Sequence, residues 1–508
     1  MIQALAPGLR RGCSWVCLVS ALAAGSSAQA VAQDGKKSGS PSAKPAAKKG
    51  EAPKAEAAKK ADAPKAEAQA EAPPAPKAPG VEVFKDERAE KALAVFKNVP
   101  GLRAAKPNEI ALVKAMAGGA ESPDRDLIQK FVEGMAYELI DKSNINGLID
   151  PPDQLRRQPT SKAAHGLKDA TDALLDALAS ARLAKNDAFL KVYNQALLAT
   201  LPKLLDNNLV SRVEAMIVLG QTNSPDAVPI YLAQIKSPDQ TLWVKVSALK
   251  GLTGVVEGGA RTDAVLGSAR AVEAAKVVAD FLEAEKDLPW PVVVRALEAI
   301  GAMRQASVAT ALQKADLANT AMEYLADADS PAEVRASAAW AIGMVQVNSA
   351  VSKYNYPLVT YHIGRLTADL ADKVAKTRTS NPYLAERWTG LLVGPVFQAF
   401  NGLEGVRETG LLHVPNAGPS QSGIKQMADL ESAVAKAAVE LVRATPGQLK
   451  DAFPALASRT SALKAYLDKN PPKDFHLVPG GPEYRPGDGQ VATAPNEPAK
   501  VVGAPGGK

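Results

Sequence analysis

The stretch Leu209-Val210-Ser211-Arg212-Val213-Glu214-Ala215-Met216-Ile217-Val218-Leu219-Gly220 places apolar side chains at Leu209, Val213, Met216 and Leu219. The spacing i, i+4, i+7, i+10 lays one apolar stripe along a helix, and such a stripe needs a neighbouring helix to be buried. The pattern returns 33 residues on as Leu242, Val246, Leu249 and Leu252, then 48 residues later as Trp290, Val294, Leu297 and Ile300. A further 42 residues bring a weaker copy, Ala332, Ala336, Ala339 and Ile342. An alanine holds the same place in each copy (Ala215, Ala248, Ala296, Ala338), where a small side chain lets another helix come close. Glycine follows in three copies, at Gly220, Gly301 and Gly343, and is expected to end each helix in a left-handed conformation.

Self-similarity at this period is the mark of stacked helical pairs. The first copy also shows its second helix, Ser224-Pro225-Asp226-Ala227-Val228-Pro229-Ile230-Tyr231-Leu232, with a serine cap, a proline in the first turn and an early acid. The same punctuation recurs as Ser122-Pro123-Asp124, Ser237-Pro238-Asp239 and Ser330-Pro331-Ala332-Glu333. At these residues the chain resembles the HEAT-repeat family, whose units read as a valine, a basic residue and alanines up to Leu-Gly, followed by an Ala-Val-Pro-x-Leu helix. Arg212, Lys245 and Arg335 match the basic position; Val293 in the third copy departs from it. The resemblance spans residues 205–345 and implies an all-α fold, a right-handed α-solenoid of HEAT-like pairs; composition adds the expectation of disordered N- and C-terminal tails. It implies nothing about an activity.

Composition agrees with helices at short range, because alanine is abundant and aromatic residues make up only 5% of the chain. The formal net charge of +6 points toward nucleic acid only until it is located. Residues 1–33 carry Arg10 and Arg11 and no acid, and residues 34–80 carry ten lysines against six acids. The remainder has equal numbers of basic and acidic residues, 48 of each, so no domain-level basic surface is expected and nucleic-acid binding is set aside.

Both cysteines, Cys13 and Cys17, fall in a segment that reads as an export signal: Arg10-Arg11, an apolar run to Ala24, and a small-residue cleavage region at Ala28-Gln29-Ala30. The run is too short to span a bilayer. Cleavage leaves no cysteine, hence no disulfide and no thiolate ligand, and no membrane span is expected in the mature chain. An exported bacterial protein, periplasmic or extracellular, is the expectation, with the general and twin-arginine routes both open.

After the signal region (1–30), residues 31–80 form an Ala/Lys/Pro-rich linker in which Ala52-Pro53-Lys54-Ala55-Glu56-Ala57 repeats as Ala63-Pro64-Lys65-Ala66-Glu67-Ala68. From Asp34 to Gly80 it has no branched apolar or aromatic side chain, and it is expected to be a disordered tether. Its lysines also allow contact with an anionic envelope polymer. An N-terminal helical region (81–204) holds helices over 123–141, with Leu127, Phe131, Met135 and Leu139 on one face, then 161–182 and 186–201, with a break at 144–159. An insertion at Glu257–Thr262 lengthens one repeat interval. In a C-terminal helical region (346–470), Ile363, Leu366, Leu370 and Val374 share a face, Pro395 is expected to kink or end the next helix, and a loop over 405–423 precedes helices at 424–443 and 458–467. A Pro/Gly-rich tail (471–508) is expected to be unstructured.

Motifs for zinc proteases, haem attachment, dinucleotide binding and phosphate loops are missing from the sequence. Gly418-Pro419-Ser420-Gln421-Ser422-Gly423 fails as a nucleophile elbow, because a serine stands where the second glycine belongs. The histidines, His165, His362, His413 and His476, are scattered; only His362, near Tyr361 and Asp369, suggests a local site. No catalytic, cofactor or metal residues are assigned. Two function classes follow: a non-catalytic scaffold that binds a protein partner through its repeat surface, or an exported enzyme acting on cell-wall or polysaccharide material through paired carboxylates.

Overall fold

The computed structural model describes residues 86–149, 162–256, 265–285, 287–308, 314–347, 351, 353–404, 406, 408–414 and 417–486. Among them the secondary structure is helical with no strand, and only two isolated bridges, Gln305 with Gln346 and His476 with Glu483, pair extended backbone. The helices are α1 (Glu87–Leu93), α2 (Pro107–Ala117), α3 (Arg125–Ile140), α4 (Lys142–Ile149), α5 (Lys162–Leu183), α6 (Asp187–Thr200), α7 (Leu209–Gly220), α8 (Val228–Lys236), α9 (Leu242–Gly254), α10 (Ser268–Ala284), α11 (Trp290–Met303), α12 (Asp316–Ala326), α13 (Ala332–Met344), α14 (Tyr356–Thr377), α15 (Pro382–Leu391), α16 (Phe397–Asn401), α17 (Gln421–Arg443) and α18 (Leu449–Lys469). The export-signal residues Ala28, Gln29 and Ala30, the lysine-rich arm and the insertion at 257–262 lie outside the described residues.

The four copies of the apolar pattern occupy α7, α9, α11 and α13, and Leu209, Leu242, Trp290 and Ala332 are the first residues of these helices. Each of the four packs on the next. A second set, α8, α10 and α12, also packs in succession, and its members lie against α9, α11 and α13 respectively. The third and fourth positions of every copy are buried (Met216 and Leu219, Leu249 and Leu252, Leu297 and Ile300, Ala339 and Ile342), whereas Val213, Val246 and Trp290 are half-buried. Each fully buried leucine contributes roughly 1.5–3 kcal/mol. The pattern alanines Ala215, Ala248, Ala296 and Ala338 are completely enclosed.

The glycines do different work from that expected. Gly220, Gly301 and Gly343 lie inside their helices, and none has a positive φ; the left-handed position after α11 belongs to Arg304 at φ 58°. A Cβ on Gly301 would stand 2.6 Å from Trp340, and one on Gly343 would stand 2.4 Å from the Ala399 carbonyl oxygen. Gly251, across from Gly220, leaves room for the ring of Tyr231, whose hydroxyl donates to the Leu219 carbonyl at 2.6 Å. These glycines therefore set how closely helices approach.

Helix starts follow short polar side chains, though seldom the serines of the Ser-Pro pairs. Asp124 caps α3, Asn186 caps α6, Asn208 caps α7 and Thr241 caps α9, each accepting from a backbone N–H in the first turn. Ser224 caps a 3-10 turn (Pro225–Ala227) ahead of α8, and Ser237 ends α8 instead of starting a helix. The expected break at 144–159 begins later than the glycine suggests, because Asp141 accepts the N–H groups of Ser143 and Asn144 and α4 runs to Ile149.

In the C-terminal region α14 buries Ile363, Leu366, Leu370 and Val374 against α17 and α18. Pro395 falls in a five-residue π turn, Leu392–Val396, between α15 and α16. The wide turn accommodates a residue that has no N–H to donate. α17 begins at Gln421, inside the expected loop, and α18 begins nine residues before the expected start at Ser458. Residues 471–486 also differ from the expected unstructured tail. Leu477, Val478 and Tyr484 are buried, the Leu477 carbonyl accepts from Asn355 N–H at 2.9 Å, and the Asn355 amide donates to the carbonyls of Asp474 and His476. Three apolar side chains among prolines and glycines suffice to fasten this segment to α12 and α14.

Candidate functional site

The N-terminal ends of α7, α9, α11 and α13 supply one edge on which charged and aromatic side chains gather. Three residues after each starting position come Arg212, Lys245, Val293 and Arg335. Arg212 donates to the Asn207 carbonyl at 2.6 Å and to Gln240 Oε1 at 3.2 Å, tying α7 to the approach of α9. Lys245, with only 2% of its surface exposed, donates from Nζ to Glu285 Oε1 at 2.8 Å and stands 4.8 Å from the Phe281 ring centroid. Burial works against ionisation of Glu285, but hydrogen bonds from Lys245 and Arg88 outweigh it and hold the carboxyl below its ordinary value. Arg335 reaches Asp369 Oδ2 on α14 at 3.3 Å.

At the third helix, where the sequence offers Val293, the cation comes from outside the repeat pattern. Arg387 of α15 places its guanidinium 5.5 Å from the ring centroids of both Trp290 and Trp388, and pairs with Glu333 of α13. Lys373 lies 5.7 Å from the Trp388 centroid and donates to Asp369 at 2.9 Å, so Asp369 joins the aromatic stack to Arg335. A guanidinium between two indole faces is attractive through the ring quadrupoles and rigid through packing. Tyr383 on α15, Val393 in the π turn and Phe397 at the start of α16 are exposed, and Trp243 at the start of α9 is 44% exposed.

Two hollows stand out among the described residues. One of about 260 Å³ lies between α14 and α18, lined by Tyr361, Arg365, Asp369, Asp372, Lys464 and Asp468. Its carboxylates Asp369 and Asp372 are each engaged by a cation, Lys373 with Arg335 and Lys464 respectively. The other, about 490 Å³, lies between α10, α12 and the segment 478–484, with Asp280, Glu283, Lys314 and Glu323 on its walls.

His362 is not part of either hollow. It is buried, and Nε2 meets the Tyr484 carbonyl oxygen at 3.0 Å, which requires the ring to donate there. Burial pushes its pKa down to about 4. His476 pairs with Asp474 at 2.7 Å, His413 lies in a 3-10 turn, and the side chain of His165 is outside the description. Ser422 lies in the first turn of α17. Among the described residues no group of three or more histidine, cysteine or carboxylate side chains is arranged to hold a metal ion, and no helix is long and apolar enough to cross a membrane.

Sequence reasoning missed Arg387, Glu285 and the role of Trp388, and it set Asp369 beside His362, whereas the structure pairs it with Arg335 and Lys373. The adjacent pair Arg387-Trp388 was the available signal, but its partner Trp290 is too distant in sequence for periodicity to connect them. No protein-family model matches the chain, and comparison with curated proteins and with solved structures finds no significant match.

Proposed function

We propose that the protein is an exported, non-catalytic scaffold whose HEAT-like helical pairs form a right-handed α-solenoid and whose aromatic and cationic edge docks a protein partner. The observation that carries this proposal is the Trp290–Arg387–Trp388 stack, a preordered cluster of two indoles and a guanidinium that are all half-buried. Buried aromatic and arginine anchors are the residues that dominate protein interfaces. Asp369 and Asp372 of the α14–α18 hollow have cation partners, which favours docking over acid–base chemistry on polysaccharide. In this proposal the arm over 34–80, ten lysines against six acids, holds the scaffold near an anionic envelope polymer.

A photo-crosslinking residue placed at Tyr383 or Trp243 in the full chain, expressed in its own envelope, tests the edge. The expected result is the same protein adduct from both positions, lost when Trp388 is replaced by alanine in a chain of unchanged melting temperature. With the same residue also placed at Glu283, adducts that arise only from that hollow between α10 and α12 would reject this edge as the docking surface.

A further inference from the structure

α1 covers the ends of α7 and α9, and its grip is built unlike the rest of the core. Its apolar contacts are small: Ala89 and Ala92 form a cluster with Leu209 apart from the main core, and the flanking Leu93 and Val213 pack against both. The polar contacts are more specific. Asp86 is buried, and its Oδ2 accepts the N–H of Leu242 at 2.8 Å, while its Oδ1 accepts from Arg88 at 3.0 Å. Asp86 thus caps its own helix and the start of α9 together. Arg88 spans onward to both oxygens of Glu285, at 3.3 and 3.4 Å, and to the Pro238 carbonyl. Asn208 and Asn207 hold the end of the segment through the carbonyls of Leu93 and Lys97.

A helix of seven residues is not stable alone and forms only while its contacts hold it. Beneath α1 lies a surface that is specified without it: an N–H at the start of a 13-residue helix, a carboxylate already paired with Lys245, and two apolar side chains, Leu209 and Val213. An acid fits the first, a guanidinium two residues later fits the second, and alanines three residues apart fit the third.

We propose that α1 is a detachable clasp resting on a docking site for short helices that begin Asp-x-Arg and carry alanines along one face. α1 is the resident occupant in cis, and a partner helix of the same chemistry displaces it. The proposal does not depend on the docking of a partner at the Trp290–Arg387–Trp388 stack, because its readouts concern α1 alone.

Hydrogen exchange on the full chain, with a synthetic peptide of residues 86–99 as probe, tests it. Amides of 89–97 are expected to exchange about tenfold faster than those of Ala215–Gly220, as a locally opening unit does. Arg88→Ala speeds them further and leaves α9 and α11 unchanged. With the cis competitor weakened, the labelled peptide binds the Arg88→Ala chain about tenfold more tightly than wild type. Ala92→Asp, which sets a carboxylate against Leu209, gives the same result by a separate route should Arg88→Ala fold poorly. A scrambled peptide serves as control. Exchange of α1 in one unit with α7 and α9, or a peptide that binds neither variant, overturns the proposal.

Discussion

Gly343 and Gly390 are both helical glycines with opposite surroundings. A Cβ on Gly343 meets the Ala399 backbone at 2.4 Å, whereas one on Gly390 has nothing within 4 Å. Backbone cannot step aside as a flexible side chain can, so Gly343→Ala is expected to destabilise the protein by ~1–3 kcal/mol. Gly390→Ala is expected to stabilise it by up to ~1 kcal/mol through helix propensity alone. Chemical denaturation of both variants checks the pair; equal effects would mean that α13 and α16 do not approach as closely as described. The sequence marks both positions as glycine and cannot separate them, because a helix-ending glycine and a close-approach glycine look alike until the facing helix is known. That is why Gly220, Gly301 and Gly343 read as left-handed ends and are not.

At the scale of elements, the starts of α7, α9, α11 and α13 were legible because apolar spacing within a helix is local information. What joins them was not. Asp86 meets Leu242 across 156 residues, and Arg88 meets Glu285 across 197, distances at which no periodicity operates. The fastening of residues 471–486 was hidden for a related reason, since proline and glycine outnumber the few apolar residues that decide the outcome. The α11–α15 junction offers a direct test. Arg387→Lys keeps the charge opposite Glu333 but loses the planar face between Trp290 and Trp388. The expected cost is ~0.5–2 kcal/mol in denaturation, with a changed tryptophan emission spectrum. An unchanged spectrum would indicate that the two indoles do not share this cation.

Across the whole molecule, two buried groups oppose each other in pH. His362 is held neutral with its pKa lowered to about 4 by burial, so the unfolded chain binds the extra proton and stability is lost as pH falls from the ordinary histidine value toward 4. Glu431 on α17 is completely buried, and burial raises its pKa to about 8. Here the folded chain holds the extra proton, so this contribution is complete below the ordinary glutamate value and is lost as pH rises toward 8. Between the ordinary glutamate and histidine values the two slopes offset each other, so melting temperature against pH is expected to be level there and to fall on either side. Glu431→Gln flattens the upper limb and leaves the lower one, whereas His362→Asn does the reverse; an upper limb that persists in Glu431→Gln would assign it elsewhere. One consequence of the turn at Leu392–Val396 belongs to this scale too. A π turn holds one residue more than α-helical winding needs, and each residue advances a helix by about 100°. Deleting a single residue there would rewind the chain and rotate Ala399 and Phe400 off the face they now bury. The extra residue therefore acts as a phase correction, and the contact between α16 and Gly343 depends on chain length at that turn as much as on side-chain chemistry.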